Sequence, residues 1–275
     1  MFNLLHNFHP QALIFSSGFL RIHWYGLFMV LGILAALALI FYLNKYYQLN
    51  KDKLFDLGFW LIIWGLVGAR LYDIGLQLPY YLNHPAQMVK VWEGGLAIHG
   101  AIIAGTIVTL IFAYRQKINF WKLSSLLVPG LALAQAFGRW GNYFNQEIFG
   151  QPTSLPWGIP IDLVNRPLDY LNYNYFHPTF LYESLGCLII SIILIYSNLK
   201  MIKKHRLNKL FFVWSTALYM ILYSILRFTL EFIRLDETPL ILGIRWPQII
   251  SLILILLSIF LLLYFKNHAK TKENC

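Results

Sequence analysis

The stretch AFGRWGNYFNQEIFG, residues 136–150, decides how this chain is read. It closes a run that is almost free of charge from Lys122 onward, and it ends in an arginine, two asparagines, a glutamine, a glutamate and three glycines. An apolar run of about 20 residues is what an α-helix needs to cross a bilayer. Polar groups at the end of such a run are costly in hydrocarbon and so point to function.

The rest of the 275-residue chain agrees: 58% is hydrophobic, 17% aromatic and only 12% charged. A soluble domain carries about twice that charge. Seven apolar windows are long enough to span, at about 20–44, 54–76, 95–114, 122–143, 180–199, 208–233 and 244–265. The expected fold is therefore all-α: a polytopic membrane bundle of seven transmembrane helices forming a single integral membrane domain, residues 1–275. Residues 144–178, rich in Pro, Asn, Gly and Tyr, read as a small extracytoplasmic cap inserted between spans four and five, with the connection 77–94 beside it.

Basic residues set the orientation. The segments after spans one (Lys45, Lys51, Lys53), three (Arg115, Lys117, Lys122), five (Lys200, Lys203, Lys204, Arg206, Lys209) and seven (Lys266, Lys270, Lys272) hold most of the 22 Lys and Arg. Positive loops stay in the cytoplasm. The N-terminus is expected outside and the C-terminus in the cytoplasm. The net charge of +10 is thereby explained without a nucleic-acid partner. Cys187 and Cys275 offer no disulfide framework and no metal site. No cleavable signal peptide stands out, and the first residues are expected to lie along the surface, Phe and Leu towards lipid.

Given those directions, polar groups from several spans converge on the outer third of the membrane. Arg139 lies about 25 Å along span four from Lys122, with Asn142 on the same face and Gly138 and Gly141 beside it. Arg227, Glu231 and Arg234 share one face at i, i+4 and i+7. His99 sits among Gly94, Gly95 and Gly100; His177, Tyr182 and Glu183 open span five; Arg21, His23 and Tyr25 open span one. Bland alternatives stand beside each: interfacial decoration for His23, an aromatic belt for Tyr25, snorkelling for Arg21 and Arg234, a helix tie for Glu183, and a structural pair with Glu147 or Glu231 for Arg139.

Two arginines at headgroup depth suit a phosphate, because guanidinium forks match its oxygens. A nearby histidine can take a proton near neutral pH. These residues point to an enzyme acting on a phospholipid headgroup. HEXXH, an Asp-rich diphosphate motif, GXSXG and a Walker sequence are all missing from the chain. A non-enzymatic carrier of anionic lipids would use the same arginines and is the alternative.

GRWGNYFNQEIFG (138–150) resembles the signature of the prolipoprotein diacylglyceryl transferase family, and IHWYG, VWEGGLAIHG, HPTFLYES and RFTLEFIR resemble its companion blocks in order. Tyr143, Phe180 and Ala101 depart from the family pattern, where Phe, Gln and Gly are usual. The resemblance implies phosphatidylglycerol as donor, the lipobox cysteine of a preprolipoprotein with its signal peptide as acceptor, and glycerol 1-phosphate as the leaving product. It implies no metal and no soluble cofactor. The site is expected to face the outer leaflet of the bacterial cytoplasmic (inner) membrane, in a chain acting as a monomer. On that reading His99, Arg139, Arg227 and Glu231 are catalytic: His99 as base, the arginines on the phosphate, Glu231 orienting an arginine. Tyr25, Arg139, Asn142, Glu147, His177 and Arg227 bind substrate, with Asn142 and Glu147 towards the glycerol hydroxyls.

Overall fold

The computed structural model describes residues 2–17 and 20–273. Cys275, set aside above as a disulfide partner, lies outside the described residues. The chain begins with a short helix α1 (Phe2–Asn7) and an antiparallel pair β1 (Leu13–Ser17) and β2 (Leu20–His23). Helices follow: α2 (Trp24–Tyr47), α3 (Lys51–Leu76), α4 (Leu78–Asn83), α5 (Ile98–Arg115) and α6 (Phe120–Phe144). The connection to α7 holds β3 (Ile159–Pro160) and β4 (Tyr175–Phe176). Then come α7 (Thr179–Lys203), α8 (Lys209–Leu230), a hairpin β5 (Leu240–Ile241) and β6 (Ile244–Arg245), and α9 (Trp246–Glu273).

Seven of these helices are long and apolar enough to cross a membrane: α2, α3, α5, α6, α7, α8 and α9 through His268. All seven fall on the apolar windows read from the sequence. Their exposed faces carry large apolar side chains, among them Trp60, Ile189 and Leu256. Outward-facing apolar groups suit a lipid solvent. Asparagines start three of the helices: Asn50 accepts from the backbone N–H of Asp52 and Lys53, Asn119 from that of Trp121 and Lys122, and Asn208 from that of Phe211. Each satisfies a donor that the first helical turn leaves open.

The chain divides into two compact units, residues 1–40 with 127–275 and residues 41–126. In the first, Val128 and Ala132 of α6 pack with Ile190 and Leu194 of α7, and Leu218 and Leu222 of α8 close over them. Ser184 and Ser191 donate to the carbonyls of Ala136 (2.8 Å) and Pro129 (2.9 Å). The second bond reaches the carbonyl of the proline inside α6, a helix interior that lacks one backbone donor. A second core joins Leu5, Tyr143, Phe149, Ile159, Ile161, Phe176, Phe180 and Leu181. Leu5 is therefore buried in protein, not turned to lipid. α1 is anchored there by His6, whose Nδ1 lies 2.8 Å from the Gly158 carbonyl and whose ring stacks on Tyr175 at 4.0 Å. The sequence reading also started a span near residue 20; Arg21 and His23 instead lie exposed on β2, and α2 begins at Trp24.

The second unit is built on α3 against α5. Arg70, buried in α3, donates to the carbonyls of Met88 (3.0 Å), Gly94 (2.6 Å), Gly95 (2.7 Å) and Gln87. One guanidinium thus satisfies the backbone of a loop that has no regular partner. Tyr81 donates to Asp73 at 2.6 Å, and Asp73 lies 3.8 Å from Arg70. Gly95 adopts φ +70, and a Cβ there would sit 2.7 Å from the Asp73 carboxylate and 2.8 Å from the Tyr81 hydroxyl. Glycine is required on both counts.

Candidate active site

The first unit gathers a buried cluster of four arginines and three carboxylates. α6 supplies Arg139, α7 supplies Glu183, α8 supplies Arg227, and the turn that ends α8 supplies Glu231 and Arg234; Asp236 follows and Arg245 closes the β5–β6 hairpin. A short extended segment of the cap brings them together. The Gly150 N–H donates to the His177 carbonyl (2.9 Å), that of Gln151 to Ile233 (2.7 Å) and that of Leu235 to Phe149 (3.3 Å), while the Thr179 hydroxyl donates to the Ile148 carbonyl. This segment ties the entrance of α7 to the exit of α8. A Cβ on Gly150 would meet the Ile233 carbonyl at 2.8 Å and Thr179 at 2.9 Å, so only glycine lets three strands of chain approach so closely.

Glu183 is 1% exposed and lies at the centre. One oxygen is 2.8 Å from Arg139 Nη2 and accepts from the Tyr223 hydroxyl at 3.1 Å; the other is 3.6 Å from Arg234. Arg139 Nη1 donates to Asn142 (3.2 Å), and Asn142 Nδ2 donates to Glu147 (2.7 Å). A polar chain thus runs from Glu183 through Arg139 and Asn142 to Glu147, which is exposed. Gly141 admits the ring of Tyr25, which a Cβ would meet at 2.6 Å.

Glu231 is fully buried between Arg227 Nη2 (2.8 Å) and Arg245 Nε (2.9 Å), with Arg234 at 3.9 Å. These are charge contacts whose angles form no hydrogen bond. Arg234 reaches Asp236 through Nε (2.6 Å) and Nη2 (3.0 Å). Burial would raise the Asp236 carboxyl, but the Arg234 bonds, with the Arg227 and Arg245 charges, prevail and hold it below the usual range. Arg227 Nη1 is buried and has no hydrogen-bond partner among the described residues. Such donors are seldom left open in a folded protein. This one can receive an anion.

Several expectations change. Arg139 pairs with Glu183 rather than with Glu147 or Glu231. Glu183 is no mere helix tie. Arg234, expected to snorkel, is 6% exposed and ion-paired. It also lies off the helix, since α8 ends at Leu230 and Glu231 is its C-cap; the turn, not an i+7 helical face, aims it at Glu183. His177 is held by its neighbours. Trp157 Nε1 donates to the Tyr182 hydroxyl (2.8 Å), and that hydroxyl lies 3.2 Å from His177 Nδ1. Burial pushes this histidine below its ordinary pKa. His99 belongs to the second unit, exposed in the first turn of α5, its ring 5.8 Å from that of Tyr72. Tyr223, Asp236 and Arg245 escaped the sequence reading. A lone carboxylate in the apolar start of α7 was the signal for Glu183, because a charge in a span demands a partner.

Membrane-length helices that end in a buried arginine–carboxylate cluster define a multi-pass membrane protein with a charged network at one end of its helices. A family model described as prolipoprotein diacylglyceryl transferase matches residues 12–264. The phosphatidylglycerol–prolipoprotein diacylglyceryl transferase of a Nostoc species is 42% identical over 247 residues, covering 88% of this chain and 85% of the relative. Proteins of the same name from a Synechocystis species and from Staphylococcus aureus are 40% and 38% identical, each over 253 residues and 87% of their own length. The chain belongs to the prolipoprotein diacylglyceryl transferase family.

Proposed function

We propose that this protein transfers the diacylglyceryl group of phosphatidylglycerol to the lipobox cysteine of a preprolipoprotein. The observation that carries the reading is the open, buried Nη1 of Arg227 within a cluster otherwise closed by ion pairs. Membership of the family supplies the two substrates. The substrate thiolate attacks the glycerol carbon that bears the phosphate. A C–S bond forms, the C–O bond breaks, and its electron pair leaves on the phosphate oxygen as glycerol 1-phosphate. The thiol proton goes to a base, for which His99 is our candidate.

Charge thus moves from sulfur to phosphate. A guanidinium donor already in place meets that charge without reorganisation, which is how preorganised sites lower a barrier. Arg227 would hold the phosphate directly. Arg139, with Glu183 and Asn142 on its two Nη groups, would act from within the network, and the Asn142–Glu147 end would meet the glycerol hydroxyls. Tyr25 lines the headgroup pocket in this reading. The site faces the outer leaflet of the cytoplasmic membrane, the N-terminus lies outside, and the chain works as a monomeric integral membrane domain capped by 144–178.

The test is direct. Purified protein is incubated in detergent with phosphatidylglycerol and a lipobox peptide, and the peptide is weighed. A diacylglyceryl mass increase, lost when the peptide cysteine is serine and lost with Arg139→Ala, is expected. An unmodified peptide from folded, lipid-loaded protein would replace the transferase with a lipid carrier.

A further inference from the structure

Glu183 does more than fill the core. It occupies Arg139 Nη2 and faces Arg234 as well, so one carboxylate neutralises part of two arginines. The groups joined by ion pairs are Arg139, Arg227, Arg234 and Arg245 against Glu183, Glu231 and Asp236. They sum to one positive charge. Glu147, one hydrogen bond further out through Asn142, lowers the field again. Only one guanidinium nitrogen, Arg227 Nη1, is buried and open among the described residues.

We infer that Glu183 is a specificity-determining positioning residue that sets this cluster for a monoanionic phosphodiester and against a dianionic phosphomonoester. The inference rests on the transferase reading and names the charge state that the site accepts. Phosphatidylglycerol is a monoester of neither end: its phosphodiester carries one negative charge. The leaving glycerol phosphate carries nearly two, since the second ionisation of a phosphomonoester lies at about pH 6. A cluster with one surplus charge is satisfied by the substrate and overfilled by the product. Glu183, by keeping Arg139 engaged, withholds the second positive charge that would trap the product. Its negative charge therefore favours release without touching the reacting atoms.

The experiment measures inhibition of transfer by two soluble probes, glycerophosphoglycerol (a phosphodiester monoanion) and glycerol 1-phosphate, at pH 8. The wild type is expected to bind the diester at least as tightly as the monoester. Glu183→Gln keeps the side-chain shape and an oxygen for Tyr223 and Arg139 but adds one net positive charge. It is expected to tighten glycerol 1-phosphate by about ten-fold (~1.4 kcal/mol) and to reverse the order of the two probes. Its steady-state rate falls more than its single-turnover rate, as slow product release requires, and Glu183→Asp restores the original order. A purely structural Glu183 would lower the yield or melting temperature of the variant with the order unchanged, and that result overturns the proposal. So does a wild type that prefers glycerol 1-phosphate, a measurement that needs no variant to fold. A wild type that modifies no peptide at all would instead remove the transferase reading.

Discussion

Replacing Arg227 with lysine separates two contacts that one guanidinium makes. Nη2 lies 2.8 Å from Glu231, and Nη1 is the open donor. Lysine has a single nitrogen at its tip and lacks the fork that serves the two acceptors from separate atoms. With Glu231 fully buried and held on its other side by Arg245, the ammonium should stay with the carboxylate and leave the phosphate unheld. Losing one preorganised donor to a developing oxyanion costs about 3–4 kcal/mol of barrier, a roughly 100- to 1,000-fold slower transfer. The fold should lose only about 1 kcal/mol, because the ion pair persists. Arg227→Met is the contrast: it leaves Glu231 with half its charge unmatched and should cost about 3–5 kcal/mol of stability. The assay is time-resolved mass spectrometry of a lipobox peptide at saturating phosphatidylglycerol, normalised to folded protein by its melting curve in detergent. If Arg227→Lys transfers within about ten-fold of the wild type, the open nitrogen is not the phosphate donor.

Other outcomes follow from the same geometry. Arg139→Lys should also slow transfer, since it loses the fork that serves Glu183 and Asn142 from separate nitrogens; peptide modification near the wild-type level would refute this. Gly150→Ala forces a Cβ to 2.8 Å from a backbone carbonyl and should cost about 1–3 kcal/mol, read as a lower melting temperature. Arg70→Ala frees the carbonyls of the loop from Gln87 to Gly95 and should make that loop the first site of limited proteolysis, whereas unchanged cleavage would deny the clamp a role. Asp236 titrates below its ordinary value, so its contribution to stability is full above about pH 4 and is lost as pH falls through the lowered value. Asp236→Asn should remove that part of the acid-induced loss, measured as melting temperature against pH.

The spans were legible because lipid leaves the sequence little freedom: a run of about 20 apolar residues has few other uses. The paired arginines were legible for the same reason, since a charge in such a run needs an explanation. Their partners were not. Sequence reasoning put Arg227 and Glu231 on one helical face by their i, i+4 spacing and left Glu231 to pair with one or other arginine, and for Arg139 it looked to Glu147 and Glu231. The structure gives it Glu183 from another helix, a pairing that no local spacing encodes. Arg234 was placed on the wrong element because nothing local marks the end of α8 at Leu230. The β1–β2 pair was missed because β2 was read as the start of span one and the residues before it as a surface segment. The Arg70 clamp was invisible because its partners are backbone carbonyls, which every residue has.

The cap segment from Ile148 to Gln151 has a consequence for biosynthesis. Ribosomes deliver about 5–20 residues per second, so α6 reaches the bilayer seconds before the carboxylate that will neutralise Arg139. At that stage Arg139 has only Asn142, and Glu147 beyond it, for company. Gln151 waits longer still, because the Ile233 carbonyl is made after α8. A nascent chain halted before Arg245 would hold Glu231 against one arginine fewer, with the clasp between α7 and α8 already formed. The full set of ion pairs therefore arrives only near the end of translation, after the residues of α2 to α8 have been made.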